Sequence, residues 1–113
     1  LRMQGASLYR TAIRRIEEAV QEILKEFGTD LREIKQVVLH QANGRILAQI
    51  ADRLAIPQDK LTSVIERYGN TSSASVPIAL DAAVRGGAIV AGDLVLLGSF
   101  GGGLTWATSL IRW

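Results

Sequence analysis

Apolar and polar residues alternate along the chain in distinct rhythms, and each rhythm predicts a different element. From Leu8 the apolar positions recur at Ala12, Ile13, Ile16, Val20, Ile23, Leu24 and Phe27, a helical stripe. Arg14, Arg15, Glu17, Glu18, Glu22 and Lys25 form the opposite, charged face, and Gly28 fits a C-terminal cap. "NGRILAQIADRLAI" predicts a second amphipathic helix, with Ile46, Leu47, Ile50, Ala51 and Leu54 on one side and Pro57 stopping it. Apolar runs without helical spacing predict strands: "LRMQG" ending at Gly5, "QVVLH" ending at His40, "LTSVIERY", "GDLVLLGSF" and "LTWATSLIRW". The last two are joined by Gly101–Gly102–Gly103.

A third helix, expected from about Ser75 to Arg85, breaks the amphipathic pattern. Pro77 lies in its first turn and Gly86–Gly87 end it. Across Val76, Pro77, Ile78, Ala79, Leu80, Ala82, Ala83 and Val84, only Asp81 and Arg85 interrupt the apolar surface. A helix on one face of a sheet needs one apolar stripe, and a helix apolar all round is buried on two sides. Surface alanines are the ordinary alternative, since apolar surface is common. The two-sided reading requires a second layered unit outside this chain.

The resulting order is β-α-β-α-β-α-β-β. Alternation of this kind predicts an α/β fold, with a mixed, largely parallel five-stranded sheet and helices on both faces. The chain of 113 residues has the size of one domain, taken as 1–113. The first residues, "LRMQG", contain no initiator methionine at their start, and the expectation is a piece of a longer protein.

Composition narrows the chemistry by exclusion. Apolar content of 48% and charged content of 21% are those of a globular protein, not a disordered one. A net charge of +2, without a block of like charges, gives no nucleic-acid or membrane footprint. The absence of cysteine removes disulfides, cysteine-bound metal and any thiol nucleophile from this chain, and a single histidine removes a histidine-rich zinc site. No apolar run reaches the length of a membrane span.

Three polar stretches lie at predicted strand ends or strand-to-helix turns, where α/β folds place their sites. "HQAN" puts His40 at the end of a buried strand, "YGNTSSAS" puts Asn70 after Gly69, and "SFGGGLTW" is a glycine turn with bare backbone N–H groups. Each has a structural account: a satisfied histidine, a left-handed asparagine, a tight hairpin. The glycines match no phosphate loop, because no GK[ST] follows. Together, an imidazole N–H, a carboxamide N–H and a backbone N–H make the donor set that a thioester enolate requires.

"HQANGRIL", "RYGNTSSASVPIALDAAVRGG" and "LVLLGSFGGGLTWATSLIRW" resemble the C-terminal half of the β-ketoacyl-acyl-carrier-protein synthase III family, from Leu1 to Trp113. The resemblance implies one half of a thiolase-like fold, in a condensing enzyme that starts fatty-acid synthesis. The family builds its site from a Cys-His-Asn triad split between two halves. His40 and Asn70 match its histidine and asparagine; the cysteine belongs to an N-terminal half not contained in these residues. The family's cysteine takes an acyl group from a coenzyme A thioester. Malonyl carrier protein then loses carbon dioxide, and the carbanion attacks the acyl-cysteine. On this resemblance Gly102 supplies an oxyanion-hole N–H, Asn43 lies beside the pantetheine arm, and Arg10 and Arg45 face an acidic carrier protein, with Arg53 a weaker candidate. Tyr9 and Phe100 fit either channel or core. Gly44 and Leu104 stand where the family has bulkier residues, which bears on channel shape.

The resemblance further implies no cofactor or metal, a cytoplasmic location, a homodimer of the full-length protein, and no nucleic-acid or membrane partner. Its partners are then the chain's own N-terminal half, acyl carrier protein and a coenzyme A thioester. Two alternatives stand beside it. One is a free-standing half domain that binds a carrier protein or partner without chemistry; the other is a synthase III-like acyltransferase or ketide synthase. Alone, the chain is expected to lack condensing activity.

Overall fold

The computed structural model describes residues 5–41, 43–101 and 105–113, with side chains from residue 9 onward. Helix α1 (Gly5–Glu26) is followed by strand β1 (Gln36–Leu39), helix α2 (Gly44–Leu54), a single helical turn α3 (Ile65–Tyr68), helix α4 (Ser75–Arg85) and strands β2 (Leu94–Gly101) and β3 (Thr105–Arg112). The described sheet has the order β1-β2-β3. β1 runs parallel to β2, with Val37 opposite Leu96 and Leu39 opposite Gly98, and β3 runs antiparallel from Thr105 opposite Gly101 to Arg112 opposite Leu94.

Alternation along the strands divides the core into two layers. Val37, Leu39 and Leu96 point to the face covered by α1 and α2, where Ile13, Ile16, Val20, Ile46, Leu47 and Ile50 complete one cluster. Val38 and Val95 point to the other face, against Ala79 and Ala83 of α4. β1 is buried along its whole length because both of its faces are covered. The α/β sandwich of the sequence reading is present, with helices on both faces.

The strand count differs from the five expected. Leu1–Gln4 lie outside the described residues, and Gly5 opens α1 where the reading ended a strand. The stretch from Leu61 to Tyr68 is no strand: it makes one parallel bridge, Val37 to Leu61, and then turns into α3. Two glutamines at the ends of β1 supply the reason. Gln36 donates to the Asp59 carbonyl at 2.8 Å and accepts from the Thr62 hydroxyl at 2.8 Å. Gln41 accepts from the Val64 N–H at 2.9 Å and donates to the Thr62 carbonyl at 3.3 Å. Gln41 thus takes two backbone groups that a strand ladder would have paired, while Gln36 holds the Thr62 hydroxyl and the Asp59 carbonyl just ahead of the stretch.

The α1 terminus follows the reading in part. Gly28 adopts φ +63°, and the Gly28 and Thr29 N–H groups donate back to Lys25 and Leu24, the left-handed glycine cap expected there. Because the helix ends at Glu26, Phe27 swings out of the stripe and is 63% exposed. α2 stops at Leu54, ahead of Pro57, through a left-handed Ala55 whose N–H returns to Ala51 and Asp52. No described helix is long and apolar enough to cross a membrane.

Candidate active site

His40 follows directly on β1, whose register sets its height. Its backbone N–H donates to the Gly98 carbonyl at 2.9 Å, continuing the β1–β2 ladder by one residue. Its ring meets Phe100 edge to face, with centroids 5.2 Å apart and planes at 90°. Phe100 itself packs on the α1/α2 core. Burial pushes the imidazole pKa below its ordinary 6.5. A neutral ring keeps one N–H to donate, which suits an oxyanion partner.

Asn70 lies on the loop between α3 and α4 and is exposed. Its side-chain oxygen accepts from the Ser72 N–H at 2.9 Å, an Asx-type turn. That bond orients the carboxamide and leaves its N–H₂ donors outside the turn. The loop is unusual on both sides of it. Gly69 has φ +66° and Ser72 φ +57°, and a non-glycine residue in this region costs about 1–3 kcal/mol.

The other candidates divide. Asn43 caps α2: its backbone is extended and its side-chain oxygen accepts from the Ile46 N–H at 2.9 Å. The cap uses one lone pair of the oxygen and leaves the amide N–H₂ uncommitted. Arg10 and Arg45 are exposed on α1 and α2, whereas the Arg53 guanidinium is paired with Glu17, joining α2 to α1. Tyr9 is also exposed. At Gly44 an added Cβ would sit 3.9 Å from the Ile65 side chain, an ordinary van der Waals contact. Gly102 and Leu104 lie outside the described residues. An open groove of about 540 Å³ runs between α2 and the 55–63 segment, lined by Leu47, Ala51, Ile56 and Leu61, and shares Gly44 with the start of the histidine-side helix.

One residue escaped the sequence reading. Gln41, inside "HQAN", is 1% exposed, and its side chain bonds to Leu39, Thr62 and Val64. Its backbone N–H donates to the hydroxyl of Ser75, the first residue of α4. The histidine loop and the asparagine loop are thereby joined through one glutamine. The only signal in the sequence was an amide, able to donate and accept at once, between a strand and a cap.

Residues 24–113 match the family model described as 3-oxoacyl-[acyl-carrier-protein] synthase III C terminal. The chain is 52% identical over 113 residues to the β-ketoacyl-[acyl-carrier-protein] synthase III of Desulfotalea psychrophila, covering 100% of this chain and 35% of that protein. It superposes on the crystal structure of 3-oxoacyl-[acyl-carrier-protein] synthase III from Aquifex aeolicus with TM-score 0.96 and 45% identity, over 99% of this chain and 36% of that one. The corresponding enzyme from Thermus thermophilus gives TM-score 0.95 and 42% identity, over 99% and 35%. The chain therefore spans about a third of the length of the relatives it matches. By its matched residues, its fold and its sequence identity, it belongs to the family of β-ketoacyl-[acyl-carrier-protein] synthase III C-terminal domains.

Proposed function

We propose that this chain is the C-terminal catalytic half of a β-ketoacyl-acyl-carrier-protein synthase III. It closes on an N-terminal half that carries the nucleophilic cysteine, and the two together condense malonyl carrier protein with an acyl-cysteine loaded from a coenzyme A thioester. Support comes from a half-buried imidazole, whose pKa burial lowers, and a carboxamide whose oxygen is engaged by its own loop. Both then present N–H groups on loops joined by Gln41 and Ser75.

In this reading the malonyl carboxylate leaves as carbon dioxide and its electron pair moves onto the thioester oxygen. His40 and Asn70 donate to that oxygen. The α-carbon then attacks the acyl-cysteine carbonyl and expels the thiolate. A donor fixed in a dry site contributes about 3 kcal/mol to such a step, more than a solvated donor that must reorganise. Gly102 is assigned to the second oxyanion hole and Asn43 to the pantetheine arm. Exposed Arg10 and Arg45 are assigned to the acidic carrier protein, and the complete enzyme to a homodimer.

The apolar flank of α4 supports a covering half. Ser75, Ala79 and Ala83 are buried against the sheet, while Val76, Ile78, Leu80, Ala82 and Val84 remain partly open. In the full-length protein, His40→Ala or Asn70→Ala should lower carbon dioxide release from malonyl carrier protein about 100-fold. Acyl loading of the cysteine, followed by mass spectrometry, should change far less. Equal loss of both steps would contradict these roles. Acyl transfer without decarboxylation in the unaltered protein would reject the substrate.

A further inference from the structure

We infer that Gln41 and Ser75 form a positioning pair that sets the Asn70 loop against the strand end carrying His40. The inference rests on the condensing role proposed above and adds two residues to it. Neither is a catalytic residue, since both act through their neighbours.

Three observations carry it. First, Ser75 does not serve its own helix. It is the first residue of α4, and the residue before it, Ala74, makes no side-chain cap. Ser75 has helical angles, φ −60° and ψ −49°, so it stands inside the helix and its hydroxyl is not committed to a cap. That hydroxyl accepts from the Gln41 N–H, 34 positions away in sequence. Second, Gln41 holds both ends of the segment that bears Asn70. Its side-chain oxygen takes the Val64 N–H just before α3, and its backbone takes Ser75 just after the loop. Gln41 and Ser75 are each 1% exposed, so these bonds form away from competing water. Third, the segment so clamped holds left-handed Gly69 and Ser72 on either side of Asn70. Glycine takes that state freely, but Ser72 holds it only where its surroundings over-determine it.

The next residue upstream of Gln41 is His40 itself. Loosening either bond therefore moves a donor relative to its partner while leaving both side chains in place. Donors aimed at one developing oxyanion are sensitive to such shifts, because about 1 Å of misplacement can cost two orders of magnitude.

The test uses the full-length protein. Ser75→Ala removes the acceptor, and Ser75→Thr restores a hydroxyl at the same position. Ser75→Ala should lower kcat for malonyl decarboxylation about tenfold or more, with KM and cysteine loading within about twofold of the unaltered protein; Ser75→Thr should recover most of the rate. Unchanged kcat in Ser75→Ala, or a parallel fall in loading and decarboxylation, overturns the pair. A second measurement separates this from failure of the function itself. The edge-to-face contact of His40 with Phe100 produces ring-current shifts, readable by NMR after assignment with His40→Gln. If the unaltered protein releases no carbon dioxide from a malonyl thioester, the condensing role falls. In that case a ring-current shift unmoved by Ser75→Ala and by Gln41→Leu overturns the pair as well, and a shift that collapses in both sustains it as a positioning device for His40.

Discussion

Helices α2 and α4 are each 11 residues long, and each begins a few residues after a candidate donor, yet they are fastened by opposite means. α2 is self-sufficient. Asn43 caps it, and Ile46, Leu47, Ile50 and Leu54 form one buried stripe. α4 has no side-chain cap, buries only Ser75, Ala79 and Ala83, and leaves larger apolar residues half-covered. Its start is defined by Gln41, from another part of the chain. Large residues on one side suit a helix that ends a layered stack. Small residues against the sheet, with apolar residues beyond them, suit a helix in the middle of one.

The contrast can be broken most sharply in the packing. Ile50 is fully buried, and Ile50→Ala should destabilise the intact protein by about 2–5 kcal/mol in urea unfolding. In α4 the vulnerability is reversed: Ala79 is equally buried, and Ala79→Leu should cost about 1–3 kcal/mol through overcrowding against Val38 and Val95. A neutral Ala79→Leu would mean that α4 is loosely seated. Caps give the next effect. Asn43→Ala should cost about 1 kcal/mol. Ala74→Ser should gain less than about 0.5 kcal/mol, because Ala74 has helical rather than extended backbone angles and cannot present a cap.

The smallest effect separates the two sides by pH, since His40 titrates and Asn70 does not. Burial lowers the His40 pKa in the fold, so the unfolded chain binds the proton more readily. The stabilising contribution is present above the unfolded value of about 6.5 and is lost as pH falls from there through the lowered native value. His40→Gln should flatten that part of the pH dependence of the urea midpoint. An unchanged slope would place the ring in water.

What could be read ahead of the structure follows the same division. Elements defined by their own residues were legible: the α1 stripe with its glycine stop, the Asn43-started α2, and the bounds of α4. Periodicity reports which side chains face a core, and α2 and the α1 stripe as far as Leu24 obey it. α4, by contrast, was bounded by its Pro77 and Gly86–Gly87 signals. Elements defined by distant partners were not. Leu61 to Tyr68 carries strand-like residues, but Gln41 occupies the Thr62 carbonyl and the Val64 N–H, backbone groups a neighbouring strand would need. A glutamine in a pattern of apolar and polar positions counts as surface, so Gln41 was invisible as a buried clamp. His40 and Asn70 were legible as residues at strand and helix ends. Their connection was not, because it runs through a serine hydroxyl whose partner lies 34 positions away in sequence.

A further consequence follows from Gly98. A Cβ built there would lie 2.7 Å from a methyl of Leu39, so this glycine is a notch into which Leu39 fits. Sliding β1 by a single residue would drive that methyl against a neighbour with a side chain and turn each strand residue to the wrong face. Filling the notch would oblige the terminal methyl of Leu39 to move, one residue before the imidazole.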